Sequence, residues 1–412
     1  MSTAAAAQKK KFTFGLLPQI VVAIALGVLF GNFFPDWLTR VFVTFNGVFG
    51  QFLGFAIPLI ILGLIAPAIA ELGRGAGRWL AITAALAYSS TLLAGFLGLS
   101  TSLIVLPRVL PEGGAPSLTN PDEALLAPYF ALEIPPLFGV MSALVLAFIV
   151  GVALTVIDRG GSLHRGFLEF RDIVNLVIQK ILIPLLPIYI FGIFLNMTQG
   201  GQVATVIATF LGVVVFVFIL TWIMLLLQYT VAGVITGKNP IKMLVTMLPA
   251  YATALGTSSS AATIPVTLRQ AIKLGVSQPV AAFAIPLNAT IHLAGSTIKI
   301  TSFSLAVMML AGMEINVGVM IGFVMMLGVM MVAAPGVPGG AIMTAAGLLS
   351  TMLGFSEAQV GLMIAAYIAI DSFGTATNVT GDGALAAIVD KWVSRSKHRD
   401  ELGEEAAVRA AA

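Results

Sequence analysis

Lys299 and the run Asp371-Ser-Phe-Gly-Thr-Ala-Thr-Asn378-Val-Thr-Gly-Asp382 put charge inside stretches that otherwise read as membrane-spanning. A charge at mid-bilayer costs several kcal/mol, from about 3 upward, so it is kept where it faces a cavity, a partner or a transported ion. Asp371, Asn378 and Asp382 are spaced by 7 and 4 residues. On a helix that spacing makes one stripe, with Tyr367 and Thr375 alongside. Hard oxygens from carboxylate and amide suit an alkali cation, and a carboxylate also suits the ammonium of an amino acid. The competing reading is a polar seam that only packs helices.

Such a stripe needs irregular backbone around it, and the sequence supplies three breaks. The apolar region 242–272 is interrupted at Gly256-Thr-Ser-Ser-Ser260, 277–311 at His292-Leu-Ala-Gly-Ser296, and 315–355 at Pro335-Gly-Val-Pro-Gly-Gly340. Non-helical backbone at membrane depth is tolerated only in protein or against a cavity. Unwound segments expose carbonyls to a cation, and half-helix N-termini offer N–H groups to a substrate carboxylate. Taken singly, the serines read equally as a hairpin tip facing water and the Gly/Pro run as a loop. Together the three breaks point to a transport site.

Composition agrees. Of 412 residues, 58% are hydrophobic and 9% charged, against roughly 25% charged in a soluble domain. The chain therefore reads as an all-α polytopic membrane protein. No cysteine is present, which excludes disulfides, thiol catalysis and thiolate metal sites. His164, His292 and His398 are too scattered for a zinc site, and no nucleophile–base pair suggests an enzyme. The net charge of +3 comes from basic residues in short loops and implies no nucleic-acid partner. The apolar run 12–34 after Lys9–Lys11 exceeds a signal-peptide core and predicts a first transmembrane helix with a cytoplasmic N-terminus.

Further apolar segments fall at 38–70, 79–107, 125–157, 167–198, 203–236 and 359–392. Counting 242–272 and 315–355 as re-entrant hairpins gives eight transmembrane helices with both termini inside. Of the 21 basic residues, only Arg40 and Arg108 then fall in outside loops, as the positive-inside rule requires. Residues 400–412, with Glu401, Glu404, Glu405 and an alanine run, read as disordered.

The C-terminal half resembles the dicarboxylate/amino acid:cation symporter family, the glutamate transporter homologues. Ser258-Ser-Ser-Ala-Ala-Thr-Ile-Pro265 matches its serine-rich first hairpin, Gly336-Val-Pro-Gly339 its second, and Asp371 with Asn378-Val-Thr-Gly-Asp382 its last helix. Ile57-Pro-Leu-Ile-Ile-Leu-Gly-Leu-Ile and Glu71-Leu-Gly fit its second helix, so the likeness extends over residues 14–392. It implies an elevator-type transporter, a homotrimer in the cell membrane. Its scaffold would be mainly 12–78 and 125–236, its transport domain 79–107 and 237–392, and its cytoplasmic tails 1–11 and 393–412. By family role Asp371 holds the substrate amino group, with Thr375 beside it. Asn378, Ser259, Ser260 and the Val337-Pro338-Gly339 backbone close on the α-carboxylate. Asp382, with Asn378, His292, Gly295, Ser296, Tyr88 and Thr91, stands where Na+ is held.

The departures are as informative. Acidic-substrate members carry an arginine where this chain has Gly374, and some carry one at Ser258. Losing the bidentate fork argues against aspartate or glutamate. The first-hairpin pattern is closest to the serine/threonine transporters of the family. The family's N-M-D-G-T is His292-Leu-Ala-Gly-Ser296, so one sodium ligand has become Ala294. His292 is then a proton carrier or a neutral hydrogen-bonded histidine. Lys299 replaces the missing arginine against a second carboxylate, or serves as counter-ion to Asp371, stands in for a missing cation, or makes a structural ion pair. The expected activity is cation-coupled symport of a small neutral amino acid, with Na+ as coupling ion and H+ as the other candidate. The alternatives are a dicarboxylate or acidic amino acid symporter using Lys299, and a channel or receptor-like binder without coupled turnover.

Overall fold

The computed structural model describes residues 16–73, 78–110, 126–156, 161–201, 203–336 and 338–411. Among them every regular element is helical. The first half holds α1 (Leu16–Gly31), α2 (Asp36–Gly73), α3 (Arg78–Val109), α4 (Val140–Val156), α5 (Ser162–Val177), α6 (Ile183–Gln199) and α7 (Val203–Thr236). A π-helical segment, Ile178–Leu182, joins α5 to α6.

The second half is cut into shorter pieces. These are α8 (Pro240–Thr257), α9 (Ser260–Lys273), α10 (Gln278–Ile291), α11 (Ala294–Leu310), α12 (Val317–Val332), α13 (Gly340–Leu353), α14 (Glu357–Ala369) and α15 (Asp371–Ala411). Local chemistry sets several boundaries. The Asn239 side chain accepts from the Lys242 N–H with Pro240 at the first turn of α8, and Ser259 caps α9. Asn316 caps α12, and Ser356 with Gln359 forms a capping box on α14. Gly354, at φ +71°, closes α13.

Among the described residues, five helical stretches are long and apolar enough to cross a membrane: Asp36–Pro67, Ala81–Val109, Ser162–Gln199, Phe210–Thr236 and Gln278–Leu310. Glu357–Ala369 with Asp371–Arg395, bent by 60°, makes a sixth. α1 and α4 are shorter apolar helices, so length alone does not give the eight crossings expected. α8 packs on α9 and α12 on α13, the pairing two hairpins require. α1, α2, α4, α5 and α6 pack mainly among themselves. α15 lies against α7, α8, α9, α10 and α11, while α3 covers α10, α11 and α12. α11 is the most enclosed, with every residue from Ala294 to Met308 buried.

In lipid, helices associate through close packing rather than apolar burial, so small residues mark contacts. A Cβ on Gly295 would stand 2.6 Å from the Gly374 carbonyl oxygen and 2.8 Å from Thr377 Cβ. Only a glycine permits α11 and α15 to come this close.

Three expectations change. The segment 125–157 is helical only from Val140; residues 126–139 contain Pro128, Pro135 and Pro136, which cannot donate helical hydrogen bonds. Arg40 pins this stretch, donating to the Ala127 carbonyl at 3.0 Å and standing 4.4 Å over the Tyr129 ring. The last segment is two helices, broken at Ile370. The tail expected to be disordered continues α15 to Ala411, in keeping with the strong helix propensity of its alanines and glutamates.

Candidate functional site

The breaks meet around the start of α15. Ser258 sits at φ +48°, a left-handed turn that sends the chain from α8 into α9. Ser259 then caps α9, and its Oγ also donates to the Gly336 carbonyl at 2.9 Å, tying the first hairpin tip to the second. Ser260 is buried in the first turn of α9. Pro338 is half-buried beside these tips, and Val337 lies outside the described residues. Gly339, at φ +76°, opens α13, and its N–H donates to Asp371 Oδ2 at 2.8 Å. Asp371 is itself the first residue of α15. Helix starts carry a partial positive charge, worth about 0.3–1 kcal/mol to an anion, so the ends of α13 and α15 together favour this carboxylate.

Lys299 meets the other carboxylate oxygen. From the fully buried second turn of α11 its Nζ donates to Asp371 Oδ1 at 3.1 Å. It also reaches the carbonyls of Ile370 and Asp371 at 3.5 and 3.4 Å and stands 3.7 Å from the Tyr367 ring centre. A Cβ on Gly374 would stand 2.5 Å from Nζ and strike the Lys299 Cε as well. The position that lacks the family's arginine is therefore filled by the lysine.

One turn deeper, Asn378 staples α15 to α11. Its Oδ1 accepts from the Gly295 N–H at 2.8 Å, and its Nδ2 donates to Ser296 Oγ at 3.2 Å. Tyr367 donates to the same Ser296 oxygen at 2.8 Å. Thr375 is buried on the same helix.

A second cluster surrounds Asp382. His292, at the α10–α11 break, places Nδ1 2.8 Å from Asp382 Oδ1. Its Nε2 is 3.1 Å from both Ser90 Oγ and Gln228 Nε2, and Gln228 donates to Ser90 at 2.9 Å. Thr91 Oγ1 accepts from the Leu293 N–H at 3.3 Å. Asp382 Oδ2 and Gln228 Oε1 are buried with no hydrogen-bond partner among the described residues, as are both side-chain amide atoms of Asn288, one turn before His292, and Thr380 Oγ1, two residues before Asp382. Buried hard oxygens without donors are what a desolvated alkali cation uses. Tyr88 lies two residues before Ser90 on α3. Its ring lies beside Gly328 of α12.

The structure thus brings Lys299, Asp371 and Gly339 together, links Ser259 to the same hairpin tip, and joins Gly295, Ser296 and Asn378. His292 and Asp382 form a separate pair. Ser90 and Gln228 were not anticipated. Their signal was available in the polar run Tyr88-Ser-Ser-Thr91 and in a lone glutamine within the apolar 203–236.

The model of the sodium:dicarboxylate symporter family matches residues 16–392. The chain is also similar to proteins named serine/threonine transporter SstT. The one from Acinetobacter baumannii strain AYE is 27% identical over 388 residues, covering 91% of this chain and 96% of that protein. The one from strain SDF is 28% identical over 394 residues with the same coverage.

Proposed function

Because the chain belongs to the sodium:dicarboxylate symporter family, a family of transporters rather than enzymes, we propose that this multi-pass membrane protein takes up a small neutral amino acid. The substrate is of the serine, threonine or alanine type, and Na+ moves with it. The observation that carries the substrate class is the fate of the positive charge. Reading a side-chain carboxylate requires a free fixed cation. Gly374 offers none, and the Lys299 ammonium is directed at Asp371 and the neighbouring main-chain carbonyls, the place assigned to the substrate's ammonium rather than to a second carboxylate. The names of the similar proteins point the same way.

Asp371 takes the substrate ammonium. The N–H groups at the starts of α9 and α13 and the Ser259 and Ser260 hydroxyls face the α-carboxylate, an arrangement suited to an anion. Asp382 Oδ2 and Gln228 Oε1, joined through His292, receive Na+ as co-substrate. By elevator movement the transport domain, 79–107 with 237–392, carries both across against the scaffold of a homotrimer. The protein resides in the cell membrane with both termini cytoplasmic.

The test is uptake by the purified protein in proteoliposomes. Labelled serine and labelled succinate are each offered under an imposed Na+ gradient and, separately, a pH gradient. Serine accumulation driven by Na+ is expected. Accumulation of succinate alone would replace the amino acid reading with a dicarboxylate one. Drive by the pH gradient alone would remove Na+ as the coupling ion.

A further inference from the structure

Both oxygens of Asp371 are engaged, by the Gly339 N–H on Oδ2 at 2.8 Å and by the Lys299 ammonium on Oδ1 at 3.1 Å. The nest around that ammonium has a carboxylate, two main-chain carbonyls and an aromatic face. Such a set suits any primary ammonium. Lys299 is fully buried, and Gly374 leaves its arm room that no side chain could share.

The function proposed above assigns Asp371 to the substrate's amino group, and the present inference rests on that reading. A second ammonium on Asp371 would stand within a few ångströms of the Lys299 ammonium in a buried site, where like charges repel strongly. We propose that Lys299 is a tethered stand-in for the substrate ammonium, the two alternating on Asp371 Oδ1. Asp371 is then never left as a bare buried charge. Hairpin 2 (α12 and α13) hangs on the other oxygen through Gly339, so it can close with or without substrate. A cavity of about 270 Å3, bounded by Val214, Phe218, Thr221, Ile370 and Phe373, adjoins Lys299; its walls are apolar, so it gives the methylene arm room to shift while the ammonium keeps the Ile370 and Asp371 carbonyls.

Hairpin closure can be read without any amino acid. The chain has no cysteine, and a Cβ at Gly336 meets nothing nearer than 3.8 Å. A Gly336→Cys thiol in the purified full chain therefore reports the hairpin 2 tip through its rate of maleimide labelling. Adding Lys299→Ala is expected to raise that rate at least 10-fold. Propylammonium chloride, which can fill the vacated nest, is expected to restore the slow rate, and tetramethylammonium, with no N–H, is not. Gly374→Ala keeps every charge but pushes a Cβ into the lysine arm, so it should also speed labelling. It decides the matter if Lys299→Ala fails to fold. An unchanged rate, or a rise that propylammonium does not reverse, would reduce Lys299 to a structural partner and overturn the proposal. Loss of serine uptake with this labelling pattern intact would instead overturn the amino acid reading alone.

Discussion

Asp371 joins three parts of the protein through one side chain: the tip of α13, the lysine of α11 and the first turn of α15. If it also holds the substrate ammonium, Asp371→Ala should lower Na+-driven serine uptake at least 100-fold. Near wild-type uptake by that variant would remove Asp371 from the site. His292 supplies the partner of Asp382 Oδ1, and Oδ2 has none among the described residues. Removing one member of a buried pair leaves an uncompensated charge, at a cost of about 3–5 kcal/mol. His292→Ala should therefore lower the melting temperature clearly in Na+-free detergent solution, and an unshifted melt would show that Asp382 finds other partners. Charge and spacing single out Asp371, Asn378, Asp382 and Lys299 as candidates, because a charged or amide group in an apolar stretch stands out whatever its neighbours, whereas His292 stands out only where the family's N-M-D-G-T is altered. They did not identify which of them pair. Lys299 stood open between four roles, and only its placement on α11, opposite the start of α15, selects Asp371. Ser90 and Gln228 escaped because their importance lies in converging on His292 from separate helices.

Helix boundaries were legible wherever a cap or a glycine marks them. The breaks at Ser258–Ser259, His292–Leu293 and Pro335–Gly339 fall inside the polar and Gly/Pro runs that announced them. Ile370 was not legible. No proline or glycine surrounds it, and the chain turns there because Asp371 begins a new helix within the packing of α11 and α15. Close approach of those two helices makes the next prediction. Gly295→Ala would push a Cβ to within 2.6 Å of the Gly374 carbonyl oxygen, and overpacking of this kind costs about 1–3 kcal/mol. A lowered melting temperature with reduced uptake is expected, and an unchanged melt would show that the contact can relax. Gly339, at φ +76°, is sensitive for a different reason. Gly339→Ala forces a Cβ into the left-handed region, at about 1–2 kcal/mol.

For the whole molecule, composition established the membrane setting at once, and the family match over residues 16–392 agrees with it. Crossing number was harder to read, because proline-rich 126–139 and the split final segment both mimic simple apolar spans. As a unit, the molecule is proposed to bind amino acid and Na+ as coupled ligands of a single carrier. Coupling between two sites is reciprocal and is measured as a shift in affinity. The direct measurement is calorimetric titration of serine into the purified full chain, once in Na+ and once in choline at equal ionic strength. We expect serine to bind at least 10-fold more tightly in Na+, about 1.4 kcal/mol of coupling, and not to bind Asp371→Ala in either buffer. Equal serine affinity with and without Na+ would contradict a Na+-coupled carrier.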